Sequence, residues 1–190
     1  MNETIHSLLN RRSIRKYRPD PIPKDILDQI LQAGLHAPSA RNKQPWHLTV
    51  VRGHEALARL TAEVKAATLR MNNHYVAMVS KEGYVVGFRA PVLVIVSGDP
   101  TDAPMVQCDC TLVLGNIFLA AYSLGLGSCW VNQLGILSNE PGFRSTLDAL
   151  GVPSGNTVYG CACLGYPDGP HPAPPPRREH TVNYVQDDYQ

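Results

Sequence analysis

Apolar residues along the chain recur at two different spacings, and the change from one to the other marks out its elements. Ile26, Leu27, Ile30, Leu31 and Leu35 repeat at three and four residues, which predicts an amphipathic helix over residues 24–36 with Pro23 at its start. Leu57, Leu60, Val64, Ala67 and Met71 mark a second such helix. A shorter first helix is expected over about residues 4–9. Residues 46–51 read as a strand, and residues 91–96 contain Val92-Leu93-Val94-Ile95-Val96, an unbroken apolar run that fits a buried strand. From about residue 104 to 124 the chain is apolar over most of a helical surface, with Leu112, Val113, Leu114, Ile117, Phe118, Leu119 and Ala121. Such a helix belongs at the centre of a fold or at a subunit interface. Gly125 and Gly127 stop it. A short strand or turn over 128–132, a short helix over 143–150 ended by Gly151, and a strand over 157–164 complete the series, while residues 72–88 show no clean period.

Proline and glycine supply the punctuation. Pro19, Pro21 and Pro23 impose extended or turn structure between the first two helices. Ala37 to Pro45 is a polar loop bounded by Pro38 and Pro45, and residues 98–103 form a turn. Residues 167–176 hold six prolines, which predicts a stiff extended arm with only a short segment after it. Helices and strands do not alternate strictly and helix dominates, so the expected class is α+β, one sheet covered by helices.

A length of 190 residues suits one domain with a core of its own. A net charge of +1 points to neither nucleic acid nor a membrane surface as partner. No apolar stretch approaches the roughly 20 residues needed to span a bilayer. The start, Met1-Asn2-Glu3-Thr4-Ile5-His6, lacks the basic and apolar regions of a signal peptide, so a cytoplasmic location is expected. Five cysteines, an odd number, argue against a disulfide framework. The Cys-x-Cys pairs, Cys108/Cys110 and Cys161/Cys163, are spaced too closely for a zinc site, and no metal is expected. Cys161 and Cys163 alternate along a strand and so share a core face. No Gly-x-Gly-x-x-Gly follows a strand, so a nicotinamide would not sit in a doubly wound dinucleotide site.

Three stretches can carry chemistry. Five of the 17 Lys and Arg residues fall in Arg11-Arg12-Ser13-Ile14-Arg15-Lys16-Tyr17-Arg18. Guanidinium groups bind phosphate through paired hydrogen bonds, although by composition alone such a run is more often a solvated turn. In Pro38-Ser39-Ala40-Arg41-Asn42-Lys43-Gln44-Pro45-Trp46, amide side chains that both donate and accept suit the edge of a heterocycle, or simply an ordinary loop. In Gly125-Leu126-Gly127-Ser128-Cys129-Trp130-Val131-Asn132, two glycines permit close backbone approach to a ligand, or merely cap the helix.

Taken in order, these stretches resemble the FMN-dependent nitroreductase family. Arg-Arg-Ser-Ile-Arg is similar to its opening motif, Pro-Ser-Ala-Arg-Asn-Lys-Gln-Pro-Trp to its second, and Gly-Leu-Gly-Ser-Cys-Trp to its third. Leu164-Gly165-Tyr166-Pro167, followed by a proline-rich arm with Arg177-Arg178, resembles its ending. The resemblance implies a nitroreductase-like fold with one central mixed or antiparallel sheet, an intertwined homodimer, and an arm over residues 167–190 that wraps the partner. It assigns Arg11, Arg12, Ser13 and Arg15 to the FMN phosphate and ribityl, with Arg177 and Arg178 closing on the same phosphate. Pro38, Ser39, Ala40 and Asn42 would come from the other subunit beside the isoalloxazine, and Trp130, Val131 and Asn132 would face the ring near N5. The implied reaction is ping-pong: NAD(P)H reduces tightly held FMN, which then reduces a flat electron-poor acceptor such as a nitroaromatic or quinone. No side chain need act as nucleophile. Other flavin chemistry, such as enone reduction, reductive dehalogenation or flavin fragmentation, and a non-catalytic FMN sensor, are the alternatives. Larger members carry a Lys and an Asn by the flavin pyrimidine that have no clear counterpart within residues 72–89, where Lys81 and Arg89 are the candidates.

Overall fold

The computed structural model describes residues 1–72 and 74–185. The unbroken apolar run becomes β2 (Val92–Gly98), the strand on which the fold is built. It pairs with β1 (Trp46–Arg52) on one side and β4 (Thr157–Gly165) on the other, and β4 pairs with β3 (Gly127–Val131), giving the order β1-β2-β4-β3. Every pairing is antiparallel, which resolves the mixed-or-antiparallel expectation.

Antiparallel sheets commonly leave one face to water, but here helices cover both. Val92, Val94 and Val96 point into one core with Ala162 and Leu164, beneath α2 (Lys24–Leu35) and α5 (Val106–Ser123). Leu93 and Ile95 point the other way, with Cys129, Cys161 and Cys163, against α3 (His54–Met71), α6 (Gln133–Leu137) and α7 (Pro141–Ala149). This two-sided burial is why β2 reads as a continuous apolar run without alternation. The shared core face expected of Cys161 and Cys163 is observed. Helix α5 is apolar for the same structural reason: Val113, Leu114, Ile117 and Ala121 are fully buried. It is long and apolar enough to cross a membrane by length and composition, yet it packs on the sheet and on α2.

The remaining predicted elements are found with ends displaced by a few residues. The first helix, α1, spans Glu3–Asn10, capped by the Asn2 side chain, which accepts from the Ile5 N–H at 2.9 Å. Gly98, expected in a turn, closes β2 opposite Trp46 because pairing with β1 extends the strand. The unreadable stretch contains one helical turn, α4 (Val76–Val79), and a 3-10 turn over Val86–Arg89. Neither is long enough to develop a period, and α6, five residues long, escapes the pattern for the same reason.

Ile95 is fully buried between β2 and the α3 side of the sheet. Truncation to alanine is expected to cost about 2–5 kcal/mol in urea unfolding, through lost transfer energy and the cavity left behind.

Candidate functional site

The basic stretch begins where α1 ends. Arg12 turns back, and its Nη1 donates to the carbonyls of Leu9 at 2.8 Å and Arg11 at 2.6 Å. These bonds satisfy acceptors that the end of a helix leaves free. The Arg12 side chain is buried, and its Nε has no hydrogen-bond partner. The chain then runs along the sheet edge. Ile14 N–H donates to Ser128 O on β3 at 2.9 Å, Arg18 N–H to Tyr166 O at 2.9 Å, and Asp168 N–H to Lys16 O at 3.0 Å. Ile14 and Tyr17 are buried, whereas Arg15 and Lys16 are exposed. A Cβ added at Gly127 would lie 2.8 Å from the Ile14 side chain, so glycine is what lets this segment reach β3.

The cations in this segment differ in their company. Lys16 pairs with Asp168 at 2.8 Å and Arg18 with Asp20 at 3.3 Å. Among the described residues no carboxylate pairs with Arg11, Arg12 or Arg15. The Arg11 guanidinium lies 5.8 Å from the Phe118 ring centre, and that of Arg15 lies 5.7 Å from the Phe88 ring centre. Ser13, Arg15 and Lys16 line a cavity of about 310 Å³ with the beginning of the arm, Pro167 to Pro172. Beneath Ser13 sits Cys129. Its hydrogen bond with Cys163, the positive charges of Arg15 and Arg11, and the Ser13 hydroxyl lower its thiol to about 6, against a contrary effect of burial. The arrangement offers unpaired positive charge, a hydroxyl and an open cavity, which suits a phosphate monoester.

The second predicted stretch is held in one shape by its own bonds. Gln44 N–H donates to Ser39 Oγ at 2.9 Å, and Gln44 Nε2 donates to Asn42 Oδ1 at 3.0 Å. Arg41, Asn42 and Gln44 all have positive φ, at 54°, 53° and 49°. Such backbone persists only when its surroundings enforce it. The anchor is Asp109 on α5, whose Oδ1 accepts from Ala40 N–H at 3.1 Å while its buried Oδ2 has no partner. The motif reading missed Asp109. The available signal was an acid in the first turn of an otherwise apolar helix.

The third stretch lies on β3 and just beyond it. Trp130 packs over Gly160, where an added Cβ would meet its ring at 2.4 Å, and it tilts against Phe118 with ring centres 6.3 Å apart. Phe118 therefore touches both the first and third stretches. Val131 is buried, and Asn132, exposed, accepts from Trp130 Nε1 at 3.5 Å. The 3-10 turn also reaches the site through Phe88, whose φ of 59° is unusual for a bulky residue. Pro38 is exposed, as are Arg177 and Arg178 on the arm, and no described hydrogen bond or ion pair joins those two arginines to the basic cluster. A larger cavity of about 740 Å³ is lined by Pro19, Ile22, His54, Leu57 and Val86 among others, and, of the candidates named from the sequence, by Arg89.

The fold is of the α+β class, one antiparallel sheet covered by helices on both faces, and it has known relatives. The nitroreductase family model matches residues 8–166, and the chain belongs to that family. A protein of Archaeoglobus fulgidus whose name joins NADH dehydrogenase and NAD(P)H nitroreductase is 32% identical over 171 residues, covering 88% of this chain and 87% of that protein. The NADPH-flavin oxidoreductase of Vibrio harveyi is 30% identical over 194 residues, covering all of this chain and 76% of its own length. The crystal structure of a nitroreductase with bound FMN from Bacteroides fragilis superposes with a TM-score of 0.92 at 37% identity, over 98% of this chain and 100% of that one.

Asp109→Ala removes the acceptor for Ala40 N–H. We expect a cost of about 1–3 kcal/mol for the orphaned donor and faster hydrogen exchange at Ala40. Asp109→Asn, which keeps an acceptor, should restore most of the protection.

Proposed function

We propose that the protein is an FMN-dependent oxidoreductase that takes electrons from NAD(P)H and passes them to a flat, electron-poor acceptor such as a nitroaromatic or a quinone. The observation that carries this reading is the set of cations without carboxylate partners, Arg11 and Arg15 flanking Ser13 in the segment bridged to the edge strand β3, in a chain so similar to an FMN-bound family member. FMN, when bound, supplies the redox chemistry; the protein supplies position and charge.

Arg11, Ser13 and Arg15 hold the phosphate and ribityl. Arg12 fixes the path of the segment through the α1 carbonyls and offers its remaining donor edge to the same group. Arg177 and Arg178 approach from the arm. Trp130, Val131 and Asn132 line one edge of the ring. Pro38, Ser39, Ala40 and Asn42 reach the ring from a second copy, with their loop already shaped by Asp109. Reductant and acceptor then occupy the same open face in turn. For adding FMN to the protein, inspecting the visible spectrum and then adding NADH without oxygen, we expect a retained flavin band that bleaches. A band lost on dialysis overturns the cofactor, and a band that NADH leaves unchanged overturns the reductant.

A homodimer belongs to this reading. Met105, just before α5, and Leu112 on it stand exposed, and Leu8 and Leu9 are 51% and 57% exposed on the neighbouring α1. Exposed apolar faces of this kind mark interaction sites. The arm, residues 167–190, would cross to the partner; residues 168–185 are exposed in the single chain, and 186–190 lie outside the described residues.

Arg15→Ala should weaken FMN binding by about 1.5–3 kcal/mol, the worth of a charged hydrogen bond, or roughly ten- to hundredfold in Kd, read by fluorescence titration. Gel filtration should give near twice 20.8 kDa, and Leu112→Lys should shift the protein toward the monomer. A wild-type monomer that retains FMN contradicts the shared site.

A further inference from the structure

We propose that Cys129 and Cys163 form a redox-active dithiol beneath the phosphate cradle, oxidised to a disulfide by a small hydroperoxide. The two residues are direct partners across β3 and β4. Opposed residues in an antiparallel pair have Cα atoms about 4.5–5.5 Å apart, within the roughly 4.4–6.8 Å that a disulfide spans. Both side chains lie on the same face of the sheet, and both are free thiols. Cys163 Sγ donates to Cys129 O at 3.3 Å and lies 3.3 Å from the Tyr17 hydroxyl, which is itself fixed by donating to Ile14 O at 2.5 Å. The pair is therefore held in register by strand pairing and by the same segment that presents Arg15.

The two thiols differ in reactivity. Cys129 is next to Ser13 and in the field of Arg15 and Arg11, so its thiolate is favoured, whereas Cys163 is held well above the ordinary thiol range by its bond with Cys129 and by burial. A low thiol beside a protonated one is the pairing that makes one sulfur the nucleophile and the other the resolving group. Ser13, whose hydroxyl bonds Cys129, also lines the cavity of about 310 Å³, the route by which a small oxidant would approach.

The step balances with hydrogen peroxide. The Cys129 thiolate attacks one oxygen, the O–O bond breaks, and the departing hydroxide takes a proton to leave as water. The Cys163 sulfur then attacks the sulfenic sulfur, the S–S bond forms, and the hydroxyl leaves with the Cys163 proton as a second water. Two sulfurs are oxidised and two peroxide oxygens reduced.

One extension rests on the FMN reading. A phosphate seated on Arg11, Ser13 and Arg15 takes up the charge that favours the thiolate and fills the cavity beside it, so FMN should slow oxidation severalfold.

The test uses the full chain carrying Cys108→Ser, which removes the exposed thiol, treated with hydrogen peroxide with and without FMN. We expect an intact mass lower by two hydrogens, a Cys129–Cys163 cross-linked peptide, and reversal by dithiothreitol. The change should be absent in Cys129→Ser and in Cys163→Ser. Five minus one, or four, alkylatable thiols after unfolding of the treated protein, or over-oxidation of Cys129 with no cross-link, overturns the proposal. Flavin retention is read separately from the visible band, so failure of the FMN reading and failure of the dithiol are distinguishable.

Discussion

The hydrogen bond from Ile14 N–H to Ser128 O is the constraint on which the site depends. An arginine-rich segment without it is a mobile polyvalent cation, and ordering it on a ligand would cost conformational entropy at each residue. Bonded to β3, the segment becomes a fifth, irregular rail of the sheet. Its buried apolar residues, Ile14 and Tyr17, are gripped by the core, and Ser13, Arg15 and Lys16 are left lining a cavity. The close fit at Gly127 and the closing bonds of Arg18 and Asp168 serve the same attachment. Binding then draws on donors already in place, which is the energetic meaning of preorganisation.

The sheet supplies rigidity from both faces. Because β2 is buried on either side, strain at the periphery can be sustained without loosening the centre. The positive φ values at Phe88 and at Arg41, Asn42 and Gln44 sit in two peripheral segments. Each is restrained from elsewhere: Phe88 by Arg15 stacked upon it, and the 39–44 loop by Asp109 and by its internal bonds.

What could be read directly from residue order follows from length and period. β2, α2, α3 and α5 are long enough to repeat a pattern, and each appears where the pattern places it. The first and third motif stretches come together, since Phe118 contacts both Arg11 and Trp130; the second is held apart from them by Asp109. What escaped was short or indirect. α6 and the 3-10 turn at Val86–Arg89 are less than two helical turns and leave no periodic trace. Asp109 acts across 69 positions of sequence, a distance no local pattern spans. The inward turn of Arg12 depends on carbonyls freed only because α1 stops at Asn10.

Helix α5 has a geometric consequence of its own. Asp109 near its beginning fixes the 39–44 loop, and Phe118, nine positions later, lies against Arg11 and Trp130. At 1.5 Å per residue these two anchors are about 14 Å apart along one rigid axis. The helix is thus a ruler: it sets how far apart the 39–44 loop and the basic segment of one chain stand. Inserting one residue between the anchors would turn one by about 100° against the other, so the spacing of the two anchors along the helix tolerates no insertion.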